Sequence, residues 1–264
     1  MIKNVTLGQY FPMDSPIHKL DPRIKLILTI ALIVIVFCAQ TVWGYSAIAV
    51  LLIVTVAMSH LPLSLLWRGI KPLWFILIFA FVLNLFFLKG EKLLVDWWIF
   101  RIYEEGLIKA VNIAVRLILL LSATTVMTLT TSPIEITDAL ERLFSPLKAV
   151  HFPVHEMALM MSIALRFIPT LMEETDRIMK AQTARGASFD TGGLIARAKG
   201  MVPILVPLFV SAFKRADELA MAMESRCYNG GEGRTRMKVL HFTPKDWVAS
   251  SIVAALIAFI ACGF

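Results

Sequence analysis

The apolar residues of this chain follow two patterns. In five stretches, at about residues 24–41, 42–59, 72–88, 107–131 and 247–261, they run almost unbroken. Each is close to the roughly 17–25 residues that a helix needs to cross a bilayer. Between about residues 132 and 246 apolar positions instead recur every third or fourth residue among charges, the period of a helix with one apolar face. The two patterns together predict an all-α integral membrane protein. Residues 1–131 form a membrane domain of four spans, 132–246 a block of amphipathic helices outside the bilayer, and 247–264 a C-terminal transmembrane helix.

Local signals place the helix starts. Asp21 sits at an N-cap position, Pro22 at the first helical position, and Arg23 and Lys25 at the interface of the first span. The amphipathic block opens on Ser132-Pro133-Ile134-Glu135, a capping box with proline at N1, which predicts a helix over about 133–148. Pro153 restarts the chain into a pattern covering about 155–185, a helix about 45 Å long at ~1.5 Å per residue. Arg166, Glu173, Glu174, Asp176, Arg177 and Lys180 gather on one side of it, opposite Met157, Met161, Ala164, Ile168, Leu171 and Ile178. Pro169 predicts a kink. A third helix is predicted over about 203–226. Its stripe of Leu205, Phe209, Ala212, Ala216, Leu219 and Met223 lies opposite Lys214, Asp217 and Glu218. The small residues in that stripe permit a close helix crossing, and Pro207 falls in the first turn, where it is tolerated.

Composition sharpens this picture. The chain has 264 residues, 58% of them hydrophobic, and a mean hydropathy of +0.75, beyond a soluble globular domain. The net charge of +7 is read here as orientation, because basic residues gather on the cytosolic side of a membrane protein. Lys3, Lys19, Arg23 and Lys25 precede the first span, and Arg68 and Lys71 separate the second from the third. The loop at 89–105 leans acidic, with Lys89, Lys92 and Arg101 against Glu91, Asp96, Glu104 and Glu105. The N-terminus is therefore expected inside, that loop outside, and the block at 132–246, with 15 basic and 13 acidic residues, in the cytosol. No basic patch interleaved with aromatics appears, which argues against nucleic acid as a partner. The three cysteines, Cys38, Cys227 and Cys262, form no CxxC pair, so neither a disulfide framework nor a zinc site is expected. The polar N-terminus, through Arg23, leaves no early apolar core of a cleavable signal peptide.

Chemistry is conspicuous by its absence. The chain contains no GxxxxGK[ST] and no GxSxG. His155-Glu156 opens like a zinc-protease motif, but Leu159 stands where the second histidine belongs, and Pro153 separates His151 from His155. The histidines are read as structural or solvated, and no cofactor or metal is expected. Arg116 is the one clear charge within a span; the expectation is that it snorkels outward or pairs with Glu104, Glu105 or Asp96. Thr124, Thr125 and Thr128 can bond their own helix backbone. Eight of the thirteen methionines lie between Met157 and Met223. Such a stripe suits a core or, because methionine is adaptable, a surface for a changing partner.

Two helices end alike, at Ala184-Arg185-Gly186 and Ser225-Arg226-Cys227. Gly186 suits a left-handed C′ position, and arginine stabilises the negative end of a helix dipole. Ordinary helix stopping therefore accounts for both. Consecutive helices that run antiparallel or crossed also hold these ends apart, a layout that suits a partner with two similar halves.

Over nearly its whole length the chain resembles the transmembrane T component of energy-coupling factor transporters, which take up vitamins or metal ions. The resemblance rests on "GQYFPMDSPIHKLDPRIK", "TTSPIEITDALERL", "ALRFIPTLMEETDRIMKAQTARGA" and "PLFVSAFKRADELAMAMESRCYNGGEGRTR". It implies a non-catalytic scaffold in a bacterial plasma membrane. Ala184, Arg185 and Gly186, with Ser225, Arg226 and Cys227, would dock into two cytosolic ATPases, which bind the ATP. Met157, Met161, Ala164, Ile168, Leu171, Phe209, Ala212, Ala216, Leu219 and Met223 would hold a small membrane substrate-binding subunit. Cys227 departs from the glycine usual after the second arginine, so Asn229 or Gly230 is expected to supply the reversal there. The rival reading is a stand-alone secondary transporter or channel. It calls for polar residues along a midplane path and repeated halves; apart from Arg116 and hydroxyls the spans offer neither.

Overall fold

The computed structural model describes residues 10–39, 41–87, 93–97, 100–187, 193–230 and 242–262. The elements are α1 (Pro22–Cys38), α2 (Val42–Ser59), α3 (Leu63–Ile70), a 3-10 turn (Lys71–Leu73), α4 (Trp74–Phe87), β1 (Leu93–Trp97), β2 (Phe100–Tyr103), α5 (Glu104–Thr130), α6 (Pro133–Leu143), a 3-10 turn (Ser145–Val150), α7 (Val154–Ala184), α8 (Leu194–Glu224) and α9 (Pro244–Ala261). The chain is a helical integral membrane protein. Its only departure among the described residues is a small antiparallel hairpin inside the loop at 89–105, with Asp96 opposite Arg101 and Trp97 opposite Phe100.

Among the described residues, five helical segments are long and apolar enough to cross a membrane: Val42–Ser59, Leu63–Phe86, Glu104–Thr130, Val154–Ala184 and Pro244–Ala261. This set differs from the expected one at three points. The third span starts at Leu63 rather than near 72, because Pro72 sits within a 3-10 turn that joins α3 to α4 instead of opening a helix. α1 has 17 residues, one fewer than α2, and stands at the short end of the spanning range. α7 enters the set because its charges gather late, from Glu173 onward, which leaves only Glu156 and Arg166 in its first half.

Residues 9–139 and 240–264 form one compact unit, and residues 140–239 belong to another. In the first, Ile35 and Val36 of α1, Ala39 just after it, Tyr45, Ile48 and Leu52 of α2, Leu119 and Ala123 of α5 and Val253 of α9 make the core. Large apolar side chains such as Trp43, Ile53 and Phe75 remain open on the outside, as expected where lipid replaces water as the solvent. Gly69 of α3 lies where an added Cβ would come within 2.8 Å of Thr125 Cγ2, so only glycine allows that helix approach.

One end of this unit carries a buried polar network. Asp21 caps α1 as expected, its Oδ1 accepting from the Arg23 N–H at 2.9 Å. The Asp21 N–H donates in turn to Oδ1 of Asp246, 225 residues away, at 2.9 Å. Asp246 is fully buried, and its Oδ2 accepts from the Thr243 N–H at 2.7 Å and the Thr243 hydroxyl at 2.8 Å, completing the capping box of α9. Lys25 donates to the carbonyls of His18 and Thr130, both at 3.0 Å, tying α1 to the end of α5. The capping box of α6 is present as read, with Ser132 N–H donating to Glu135 and Glu135 N–H to Ser132.

Arg116 corrects the expectation made for it. It neither snorkels nor pairs with a carboxylate. Its Nη2 donates to the Tyr45 hydroxyl at 2.8 Å and the Ala39 carbonyl at 3.3 Å, and its guanidinium lies 5.8 Å from the Phe37 ring centre. The arginine therefore clamps the α1–α2 turn, whose carbonyl at the end of α1 has no helical partner.

Candidate docking site on the two long helices

α7 and α8 are each 31 residues long. α6 stops at Leu143 rather than running on to 148, and the 3-10 turn Ser145–Val150 takes over. Glu141 at the end of α6 meets the His155 ring at 3.0 Å, both largely buried, so this histidine is structural as read. His151 lies in the left-handed region with φ 59° and is off the helix.

α8 begins nine residues earlier than expected, at Leu194, so Pro203 and Pro207 are interior rather than N-terminal. An interior proline deprives the carbonyl four residues back of its helical donor. For Pro207 that carbonyl belongs to Pro203, and Gln182 of α7 supplies the missing bond, its Nε2 donating at 3.3 Å. Further along, Arg215 of α8 pairs with Glu174 of α7 at 3.2 Å, the two side chains 33% and 27% exposed.

These two contacts give the direction of the helices. Moving back along α7 from Gln182 to Glu174 accompanies moving forward along α8 from Pro203 to Arg215, so the helices cross antiparallel. Arg185 and Arg226 each stand eleven residues beyond the Glu174–Arg215 pair on their own helix. At ~1.5 Å per residue each is about 16 Å from that pair in opposite senses, which separates them by at most about 33 Å.

Both ends close in the same way. At the first, the Ala187 N–H donates to Gln182 O at 3.0 Å and the Gly186 N–H to Thr183 O at 2.9 Å, with Gly186 at φ 88°. At the second, the Tyr228 N–H donates to Met223 O at 3.0 Å and the Cys227 N–H to Glu224 O at 2.9 Å, with Cys227 at φ 56°. Each is a Schellman turn, which satisfies the last helical carbonyls. The reversal expected at Asn229 or Gly230 is thus already made at Cys227, although Gly230 follows with its own positive φ. The two turn bonds and the exposed position offset the roughly 1–2 kcal/mol that a side chain costs in the left-handed region.

Ala184, Arg185, Gly186, Ser225, Arg226 and Cys227 are all exposed. Among the described residues neither arginine forms an ion pair within the chain. On the helix faces, Met157, Met161, Ala164, Ile168, Phe209 and Ala216 are exposed, whereas Leu171, Ala212, Leu219 and Met223 are half-buried. A second apolar strip escaped the sequence reading: Val202, Val206, Val210 and Phe213 are exposed, Phe213 at 70%. Its signal was the run MVPILVPLFV at 201–210, in which no polar residue interrupts the helix circumference. No group of His, Cys, Asp and Glu able to hold a metal occurs among the described residues.

Two long helices that expose apolar faces and end on matching arginine turns, in a chain that also carries membrane spans, define a membrane subunit built to assemble with others. Residues 13–239 match the family model described as "CbiQ: Cobalt transport protein". The chain is 48% identical over 260 residues to the energy-coupling factor transporter transmembrane protein EcfT of Ruminiclostridium cellulolyticum, covering 98% of this chain and 97% of that one. It is 50% identical over 258 residues to EcfT of Clostridium kluyveri (97% and 96% covered) and 48% over 264 residues to EcfT of Bacillus subtilis (100% and 98%). The chain belongs to the CbiQ family, as an EcfT-type transmembrane component of energy-coupling factor transporters. It is a transporter membrane subunit and not a member of an enzyme family.

Proposed function

We propose that this chain is the scaffold that couples two cytosolic ATPases to a small membrane substrate-binding subunit during uptake of a vitamin or other micronutrient across the bacterial plasma membrane. Its N-terminus and the region 132–246 face the cytosol, by the distribution of Lys and Arg. The observation that carries this reading is the pair of matched Schellman turns, each placing at the end of a long helix an exposed arginine that has no ion pair among the described residues. An arginine so presented suits a groove with acceptor groups on a partner. Two such ends, on opposite sides of one crossing, suit two similar partners. The chain carries no nucleotide-binding loop, so ATP is bound by those partners and no cofactor is held here. Tilting α7 and α8 about their crossing changes how their apolar faces, from Met157 to Leu171 and from Phe209 to Met223, hold the substrate-binding subunit.

Truncating a buried, hydrogen-bonded charge at an interface costs about 2–5 kcal/mol. The test is co-purification of the ATPases with an Arg185→Glu, Arg226→Glu variant. Loss of the ATPases with the substrate-binding subunit retained is the expected result; undiminished recovery with normal transport would sink the proposal.

A further inference from the structure

The bundle of α1, α2, α5 and α9 is not filled to its edge. A cavity of about 480 Å³ opens between these helices, with Pro16, Ile17 and Leu20 lining it just before the start of α1. Its walls run along α1 from Lys25 to Leu32 and along α9 from Lys245 to Val253, about 10–12 Å at ~1.5 Å per residue. The N-termini of α1 and α9 and the C-termini of α2 and α5 share its polar end, as the bond from Lys25 to the Thr130 carbonyl shows. The cavity therefore starts at one face of the bilayer and reaches most of the way through one leaflet, half of a hydrocarbon core about 30 Å thick.

Its chemistry is divided the same way. The lining includes two lysines and no acidic residue. Lys25 is buried and spends its ammonium on two carbonyls, whereas Lys245 is exposed at the mouth. Asp246, next in sequence, is turned away and fully occupied by the Asp21 N–H and by Thr243. Below the lysines the hydroxyls of Thr29, Thr55 and Thr130 all donate to carbonyls of their own helices, Lys25, Leu51 and Val126. The wall thus offers almost no free polar group to a solute. We propose that the cavity is a phospholipid site: one acyl chain fills it, and an anionic headgroup rests on Lys245. Basic positions between transmembrane helices at a membrane face are suited to such headgroups.

The test uses the full chain in nanodiscs of equal phosphatidylglycerol and phosphatidylcholine, with retained lipid counted by native mass spectrometry. One lysine near the surface is worth about 1 kcal/mol, so phosphatidylglycerol should be retained about fivefold over phosphatidylcholine. Lys245→Gln should bring that ratio to about one without lowering the total lipid retained. Ala249→Trp, which fills the cavity, should lower the total. A photo-cross-linker at Ala249 should capture lipid in the assembled transporter, a readout that does not depend on the bulky variant folding. Equal retention of the two lipids by the unaltered chain, a preference that survives Lys245→Gln, undiminished lipid in Ala249→Trp, or capture of a protein chain at Ala249 would each overturn the proposal.

Discussion

Asp246 and Glu174 are both carboxylates that tie two helices together, and the difference between them separates the two units of the molecule. Asp246 is fully buried, and its two oxygens accept three bonds from the caps of α1 and α9. Glu174 is about one-quarter exposed and joins α7 to α8 through a single ion pair with Arg215. A buried carboxylate with both oxygens bonded fixes one geometry, because any displacement strands polar groups away from water. A partly solvated ion pair tolerates change, since water substitutes for either partner at a cost of about 0–1 kcal/mol. The unit at 9–139 and 240–264 is built as a fixed anchor. The crossing of α7 and α8 is built to be adjusted.

Four substitutions probe this contrast, beginning with the largest effect. Asp246→Ala strands the N–H groups of Asp21 and Thr243; at about 1–3 kcal/mol for each buried unsatisfied group, it should lower thermal stability in detergent by several degrees. Little change in the melting temperature would remove the rigid half of the comparison. Next, Gly186→Ala places a Cβ at φ 88° and should cost about 1 kcal/mol. Cys227→Gly should do the opposite at the second turn and stabilise it by about 0.5–1 kcal/mol. Hydrogen exchange at Ala187 and Tyr228 reads both turns; equal, unchanged protection would mean that backbone conformation does not limit either one. Glu174→Gln should then cost less than about 1 kcal/mol, so the fold should survive while the coupling of ATP hydrolysis to uptake changes. A stability loss as large as that of Asp246→Ala would contradict the adjustable crossing.

The smallest effect concerns pH. Burial, opposed by the bond from its Nε2 to the Phe11 carbonyl, holds the His18 imidazole below its ordinary value. A histidine lowered in the folded state contributes stability above the unfolded value of about 6.5, and loses it as pH falls through the folded value. His18→Gln should flatten a small decline in melting temperature below pH 6.5. An unchanged decline would assign it to other groups.

Local chemistry made much of this molecule readable from its residues. Asp21-Pro22 and Ser132-Pro133-Ile134-Glu135 start helices where their side chains predict, because capping depends on neighbours two or three positions away. Reading failed where distant partners decide. Pro207 suggested a helix start, yet Gln182 of α7 supplies the bond that its ring removes, so the helix runs through. Arg116 found Ala39 and Tyr45, more than seventy residues away, instead of the carboxylates nearby in sequence. The arginine ends were visible as a repeated pattern, but the sameness of their turns was hidden by Cys227. Nothing in a lone cysteine announces a left-handed backbone that two turn bonds enforce.

The central claim is that α7 and α8 move relative to one another as their arginine ends follow two ATPases. The most direct measurement is the distance between spin labels at Lys180→Cys and Ala220→Cys, both exposed positions near the helix ends. It is made by pulsed electron resonance in the assembled transporter, with Cys38 and Cys262 replaced by serine and Cys227 by glycine. The account predicts two distinct distance distributions, one without nucleotide and one with ATP trapped, and their collapse into one in the Arg185→Glu, Arg226→Glu variant. A single distribution in both nucleotide states, with uptake intact, would contradict it.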